Sequence, residues 1–318
     1  MTPDLIFITL STFAEGDREP LRLLEASGRP HRINTTGKRI TTAQLLDQGR
    51  AATVVIAGVE PYDAATLECL PFLRCISRCG VGVDSIDLAA ARARSIVVLN
   101  TPLPPAAAVA ELALAMMLSL CRNLPRQAAR ARNNEWARIE AHLLGGRHVG
   151  IVGFGRIGRR VAELLKPFGC RISAADPAVE AASAGALGVN LVPLDKLIAD
   201  CDVISIHAAR SSDEPVHFGR EELAAMKRGT IVINVARGGM IDEVALYDAL
   251  VSGHLAGAGL DVFEQEPYAG PLCDLDKVVL TPHAGTLTVE TRAAMERECV
   301  AKALQFLDGT LAPDARVI

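Results

Sequence analysis

Gly153-Phe-Gly155-Arg-Ile-Gly158 stands directly after the apolar run His148-Val-Gly-Ile-Val152 and opens a segment with Val161, Leu164 and Leu165 on one helical face. Three glycines at this spacing between a strand and a helix each have a physical use. Gly153 permits the tight turn, Gly155 lets the main chain approach a pyrophosphate, and Gly158 lets helix and strand pack closely, while the helix N-terminus favours the anion. Taken alone, the pattern also fits an ordinary glycine turn. The next apolar run, 170–175, narrows it, because it leads to Asp176, 18 residues after Gly158. That is near the roughly 20 expected for the acid that binds the ribose hydroxyls of a dinucleotide. No Lys or Arg lies between Ser173 and Asp195 to receive a 2′-phosphate, so NAD is favoured over NADP.

Outward from this point, strand-length apolar runs at 202–206, 230–235, 257–262 and 277–281 alternate with helix-length segments at 194–199, 220–226 and 243–252. This alternation predicts a doubly wound parallel sheet of the Rossmann kind, covered by helices on both faces. The first hundred residues repeat the theme on a smaller scale, with strand candidates at 5–10, 53–57, 74–77 and 96–99, and form a second α/β unit. Asn100-Thr-Pro-Leu-Pro-Pro105 breaks regular structure as a candidate hinge before a helix expected over 106–122. A last helix, 288–307, has no strand left in its own domain and is expected to return to the first unit. The expected division is a discontinuous, flavodoxin-like substrate domain (1–101 and 288–318) and an NAD-binding domain (102–287).

Composition agrees with two ordinary domains: 318 residues, 50% hydrophobic and 22% charged, are enough to bury large cores and too apolar for a disordered chain. With 33 basic against 37 acidic residues the net charge is −4, without the basic excess of many nucleic-acid binders. The longest apolar run, 112–121, falls short of the roughly 18 residues a spanning helix needs. No Lys or Arg precedes Arg18, the wrong flank for a secretory signal, so the cytoplasm is the expected compartment. The eight cysteines show no CxxC pairs or metal-ligand spacing and are read as reduced thiols, so no metal is expected. Gly28 to Ile40, with Arg29, Arg32, Lys38 and Arg39 and no acid, is read as a solvated basic loop.

Ligands of open α/β sheets bind beyond the carboxyl ends of the strands. There the fourth strand of the NAD-binding domain runs into Arg237, the fifth through Asp261 to Glu266, and the sixth to His283. Hydride transfer to a carbonyl needs a proton for the oxygen, and histidine titrates in the right range, so His283 is the candidate acid/base. Glu266 is the candidate to hold its imidazole, and Arg237 to grip a substrate carboxylate through a two-pronged contact. Singly these residues also read as a surface ion pair, a turn acid before Pro267 and a helix cap. On consecutive strand ends they read as one site. His207, at another strand end, is open between lining the cofactor crevice and packing.

Gly80-Val-Gly-Val-Asp84, the glycine run at 153–158, Asn234-Val-Ala-Arg-Gly-Gly239, Asp261-Val-Phe-Glu-Gln-Glu-Pro267 and Thr281-Pro-His-Ala-Gly285 together resemble the D-isomer-specific 2-hydroxyacid dehydrogenases. The resemblance implies that Arg237 binds substrate, that Glu266 pairs with the histidine and that His283 is the acid/base. It further implies main-chain contacts to a substrate carboxylate from Val81 and Gly82, cofactor contacts near Val109, Arg156, Ile157, Ala236 and Asp261, a homodimer, and a cleft that closes between domains. Ile76 to Asp84, Asn100-Thr-Pro102 and Ala108-Val-Ala-Glu111 look most like the phosphoglycerate dehydrogenases, where Arg78 matches a substrate-side arginine.

Three departures from that group stand out. No Lys or Arg occurs between Ala51 and Leu73, where some members place a cation for a phosphate, and Glu60 adds a negative charge there. Ala208-Ala-Arg-Ser-Ser212 replaces the usual Pro-Leu-Thr pattern. No C-terminal regulatory domain is expected. The expected function is NAD-dependent interconversion of a D-2-hydroxy acid and its 2-oxo acid, with 3-phosphoglycerate as one candidate substrate. The alternatives are a glyoxylate or hydroxypyruvate reductase and a non-catalytic NAD(H)-sensing protein of the corepressor type.

Overall fold

The computed structural model describes residues 4–209 and 217–318. Positions 210–212, part of the departure after His207, lie outside the described residues. The chain divides into one unit of Met1–Pro105 with Leu287–Ile318 and a second of Ala106–Thr286.

In the first unit the strands are β1 (Leu5–Ile8), β2 (His31–Ile33), β3 (Ala52–Ala57), β4 (Cys75–Arg78) and β5 (Val97–Leu99). They pair in the order β2-β1-β3-β4-β5, all parallel. This is the flavodoxin-like order. Alternation along the strands feeds two cores. Phe7, Val55 and Ile76 join Tyr62 and Leu67 on one face, while Ile6, Ile8, Val54 and Ile56 join Met295, Cys299 and Val300 of the helix Val289–Asp308 on the other. Strands buried on both faces read as continuous apolar runs because neither face meets water.

The second unit contains β6 (His148–Val152), β7 (Arg171–Ala175), β8 (Asn190–Leu191), β9 (Val203–Ile206), β10 (Ile231–Asn234), β11 (Gly257–Leu260) and β12 (Val278–Leu280). The order β12-β11-β10-β9-β6-β7-β8 is the doubly wound arrangement, with its switch point between β6 and β9. Val149, Ile151, Ile231 and Ile233 face the helix Pro105–Cys121 through Ala113, Met116 and Met117. Ile204, Val232 and Leu260 face Leu223, Leu246 and Leu250 of the opposite helical layer. Each fully buried side chain of this size contributes roughly 1.5–3 kcal/mol.

Two strands carry no apolar run to announce them. β2 and β8 are sheet-edge pairings of three and two residues, held by β1 and β7. The basic segment also differs from a solvated loop. It contains β2, Arg29 pairs with Asp308 at 2.6 Å and Asp4 at 3.4 Å, and Arg32 donates to the Gln48 carbonyl. Its partners come from distant sequence, so local composition could not reveal them. Among the described residues no single helix is long and apolar enough to cross a membrane.

Candidate active site

β6 delivers the glycine turn to the sheet's carboxyl edge. Gly153 has φ +88°, and a Cβ there would lie 2.4 Å from the Ala208 amide nitrogen, so the chain leaving β9 passes this point only because the residue is glycine. A Cβ at Gly158 would lie 2.2 Å from the Gly153 carbonyl oxygen, which fixes how closely the helix Arg156–Leu165 approaches β6. Gly155 caps that helix without a side chain and faces open space, leaving first-turn amides available to an anion. At the end of β7, Asp176 accepts from the Phe154 amide (Oδ2, 2.7 Å) and the Ala178 amide (Oδ1, 2.9 Å). These two bonds hold its carboxylate at the glycine turn. An open glycine, an uncapped helix and a fixed carboxylate together fit a dinucleotide.

Three neighbouring strand ends build the second half of the site. After β10, the Asn234 amide spans its own turn, accepting from the Ala236 amide and donating to the Arg237 carbonyl. Gly238 then passes so near the chain after β11 that a Cβ would lie 1.8 Å from the Phe263 oxygen. Arg237 is thereby held beside that segment, and its Nη1 donates to the Ala236 carbonyl at 2.7 Å.

After β11, Asp261 is only 2% exposed, and its carboxylate accepts from the Thr281 hydroxyl and from the amides of Ala284 (2.6 Å) and Gly285 (2.8 Å). Those donors flank His283, whose own amide donates to the Asp261 carbonyl and whose φ is +53°. A non-glycine residue in this region is held there by its surroundings. Glu266 accepts from the Phe263 amide through Oε1, and its Oε2 lies 3.0 Å from His283 Nδ1. With Nδ1 engaged, Nε2 has no hydrogen-bond partner among the described residues, and half of the side chain is exposed. Val109 packs beside Gly285, and Ala236 is buried next to Arg237.

The glycine loop of the first unit is pinned from β5. Gly80 donates to Thr101 Oγ1 at 2.8 Å and accepts from the Thr101 amide, while Asn100 Nδ2 donates to the Val81 carbonyl. Arg78 folds over Gly80 and donates to the Cys79 carbonyl. Val81 is exposed and Gly82 half-buried.

Glu60, the negative charge noted in the sequence between Ala51 and Leu73, lies inside the protein. It is 1% exposed and accepts from the Thr9 hydroxyl, the Gly58 amide and the Tyr62 hydroxyl. Its charge is spent on these internal donors, and burial with the adjacent carboxylate pushes the Tyr62 phenol well up.

Residues 114–285 match the family described as D-isomer specific 2-hydroxyacid dehydrogenase, NAD binding domain. The chain belongs to this family. It is 39% identical over 268 residues to a D-3-phosphoglycerate dehydrogenase of Mycobacterium tuberculosis, a match covering 83% of this chain and 51% of that protein. It is also 39% identical over 260 residues to a hydroxypyruvate reductase of Thermotoga maritima, covering 80% of this chain and 84% of that one. The chain therefore spans about half the length of the phosphoglycerate dehydrogenases it matches. The crystal structure of the TT0316 protein from Thermus thermophilus aligns with TM-score 0.89 and 34% identity, covering 99% of this chain and 100% of that one.

In this 2-hydroxyacid dehydrogenase fold, His207 follows β9 and presents Nε2 to the Ser205 hydroxyl at 2.8 Å, while its buried Nδ1 has no partner among the described residues. Burial drives its pKa down to about 3, so the ring is neutral. Cys75 and Cys201 are likewise pushed up by burial, Cys201 to about 12. Asn234, Asn100 and Thr101 stand within the sequence motifs, but the motifs alone gave them no role of their own. The signal was present in Asn234-Val-Ala-Arg, an Asx residue two positions before an amide that its side chain can receive.

Proposed function

We propose that this chain is an NAD-dependent oxidoreductase interconverting a D-2-hydroxy acid and its 2-oxo acid, with Arg237, Glu266 and His283 as its working groups. The observation that carries the reading is the 3.0 Å contact of His283 Nδ1 with Glu266, which leaves Nε2 open at the carboxyl edge of the sheet that bears the glycine turn.

When bound, the cofactor supplies or accepts the hydride. The amides of the first turn after Gly155 and the carboxylate of Asp176 hold it, and Asp176 repels a 2′-phosphate, which favours NAD. In the reduction direction His283 donates the Nε2 proton to the carbonyl oxygen, and in oxidation it takes the proton back. Glu266 orients the imidazole through Nδ1 and stabilises its protonated form. Arg237 binds the carboxylate of the acid through its planar fork and fixes the carbon to be reduced.

A phosphorylated acid such as 3-phosphoglycerate is one candidate substrate. The lack of Lys or Arg between Ala51 and Leu73 favours the second reading, a glyoxylate or hydroxypyruvate reductase. A homodimer in the cytoplasm belongs to the same proposal, resting on the family likeness, and light scattering tests the dimer. The activity is tested by following NADH consumption against a panel of 2-oxo acids that includes glyoxylate, hydroxypyruvate and 3-phosphohydroxypyruvate. Turnover of at least one acid is expected. Cofactor binding without turnover of any would favour the sensor reading instead.

A further inference from the structure

The amino ends of β6 and β7 frame a cavity of about 430 Å³ whose walls include His148, Arg171, Ser173, Asn190 and Lys196. It lies at the opposite end of these strands from Gly153 and Asp176. Five residues at about 3.3 Å each put the two ends on the order of 15 Å apart.

Its electrostatics are unbalanced. Neither Arg171 nor Lys196 belongs to an ion pair among the described residues, and Asp200 is the one acid on the wall. The floor is a buried imidazole with a contested nitrogen. His148 Nε2 is 2.8 Å from the Ser173 hydroxyl, while Nδ1 is 2.9 Å from both the Asp200 carbonyl oxygen and an Arg171 guanidinium nitrogen. Burial is the leading cause that lowers the pKa of this ring, so it is neutral, and a neutral Nδ1 carries either a proton or a lone pair. A proton satisfies Asp200 and sets the guanidinium against an N–H. A lone pair satisfies Arg171 and opposes a carbonyl already holding Lys227. The first arrangement leaves the guanidinium without an acceptor and the second sets two acceptors against each other, so a further acceptor for Arg171 would relieve both.

We propose that this cavity is a second small-molecule site, one that takes a phosphate group carried on a short carbon skeleton. Arg171 supplies paired donors to the phosphate and Lys196 a second cation, with the Asn190 amide as a further donor. Leu191 and Leu197 line the space left for the carbon chain. Binding frees Nδ1 to donate to Asp200 alone.

Inorganic phosphate and glycerol phosphate are titrated separately into the full isotope-labelled chain, following the backbone amide signals of Arg171, Ser173 and Lys196. Saturable shifts at these amides are expected with both probes, with glycerol phosphate binding more tightly. The double variant Arg171→Ala, Lys196→Ala, altered only at exposed positions, should bind about tenfold or more weakly. Shifts confined to the glycine turn at 153–158, or equal affinity in the double variant, would overturn the site. Tighter binding of inorganic phosphate would overturn the organic carrier.

Discussion

His283 Nδ1 and Glu266 Oε2 lie 3.0 Å apart across a gap of 17 residues. Two different strand ends supply them, and the Phe263 amide fixes the second carboxylate oxygen. Glu266→Gln keeps an acceptor for Nδ1 and removes its charge. A charge-assisted bond exceeds a neutral one by about 1–2 kcal/mol, so kcat is expected to fall roughly tenfold while NADH affinity holds. Steady-state kinetics with a parallel binding titration check both.

Asp261 is a brace for the histidine loop, with three protein donors on a buried carboxylate. Asp261→Asn turns one acceptor into a donor facing those groups. Leaving a buried donor unmet costs about 1–3 kcal/mol. Both the melting temperature and kcat should drop, and wild-type values for the two would remove the bracing role.

Asp176→Ala removes the carboxylate that repels a 2′-phosphate. The ratio of kcat/KM for NADH over NADPH should decline by about tenfold, corresponding to ~1.4 kcal/mol. An unchanged ratio would contradict the ribose assignment.

His207 gives a pH signature. Its folded pKa of about 3 lies below the ordinary 6.5, so between those values the unfolded chain binds a proton that the folded chain refuses. Stability contributed by the neutral ring is therefore present above pH 6.5 and declines as pH falls toward 3, by up to about 1.36 kcal/mol per pH unit. His207→Gln should flatten this acid limb in urea denaturation series at successive pH values. An equally steep limb would place the imidazole in water.

The strands that form the middle of each sheet were legible because burial on both faces leaves uninterrupted apolar runs, as in Val54-Val-Ile56 and Ile231-Val-Ile233. β2 and β8 were not, since a two- or three-residue edge takes its stability from its neighbour and not from its own hydropathy. The burial of Glu60 was hidden for a related reason. The sequence marks a negative charge there, but what encloses it includes Thr9, which lies just past β1 and donates to it across 51 residues of chain. The glycine turn, Asp176 and the strand-end trio were visible because they follow apolar runs at fixed offsets. The second bonds of Asp261, which aim the histidine, depend on backbone amides that no side-chain pattern discloses.

The most direct test of the proposed chemistry compares wild type with His283→Ala for NADH-dependent reduction of the best 2-oxo acid, with NADH binding measured on the same samples. The expected result is a kcat lower by roughly 10²–10⁴ with cofactor affinity retained. Undiminished turnover in the variant would contradict the assignment of His283 as the proton donor.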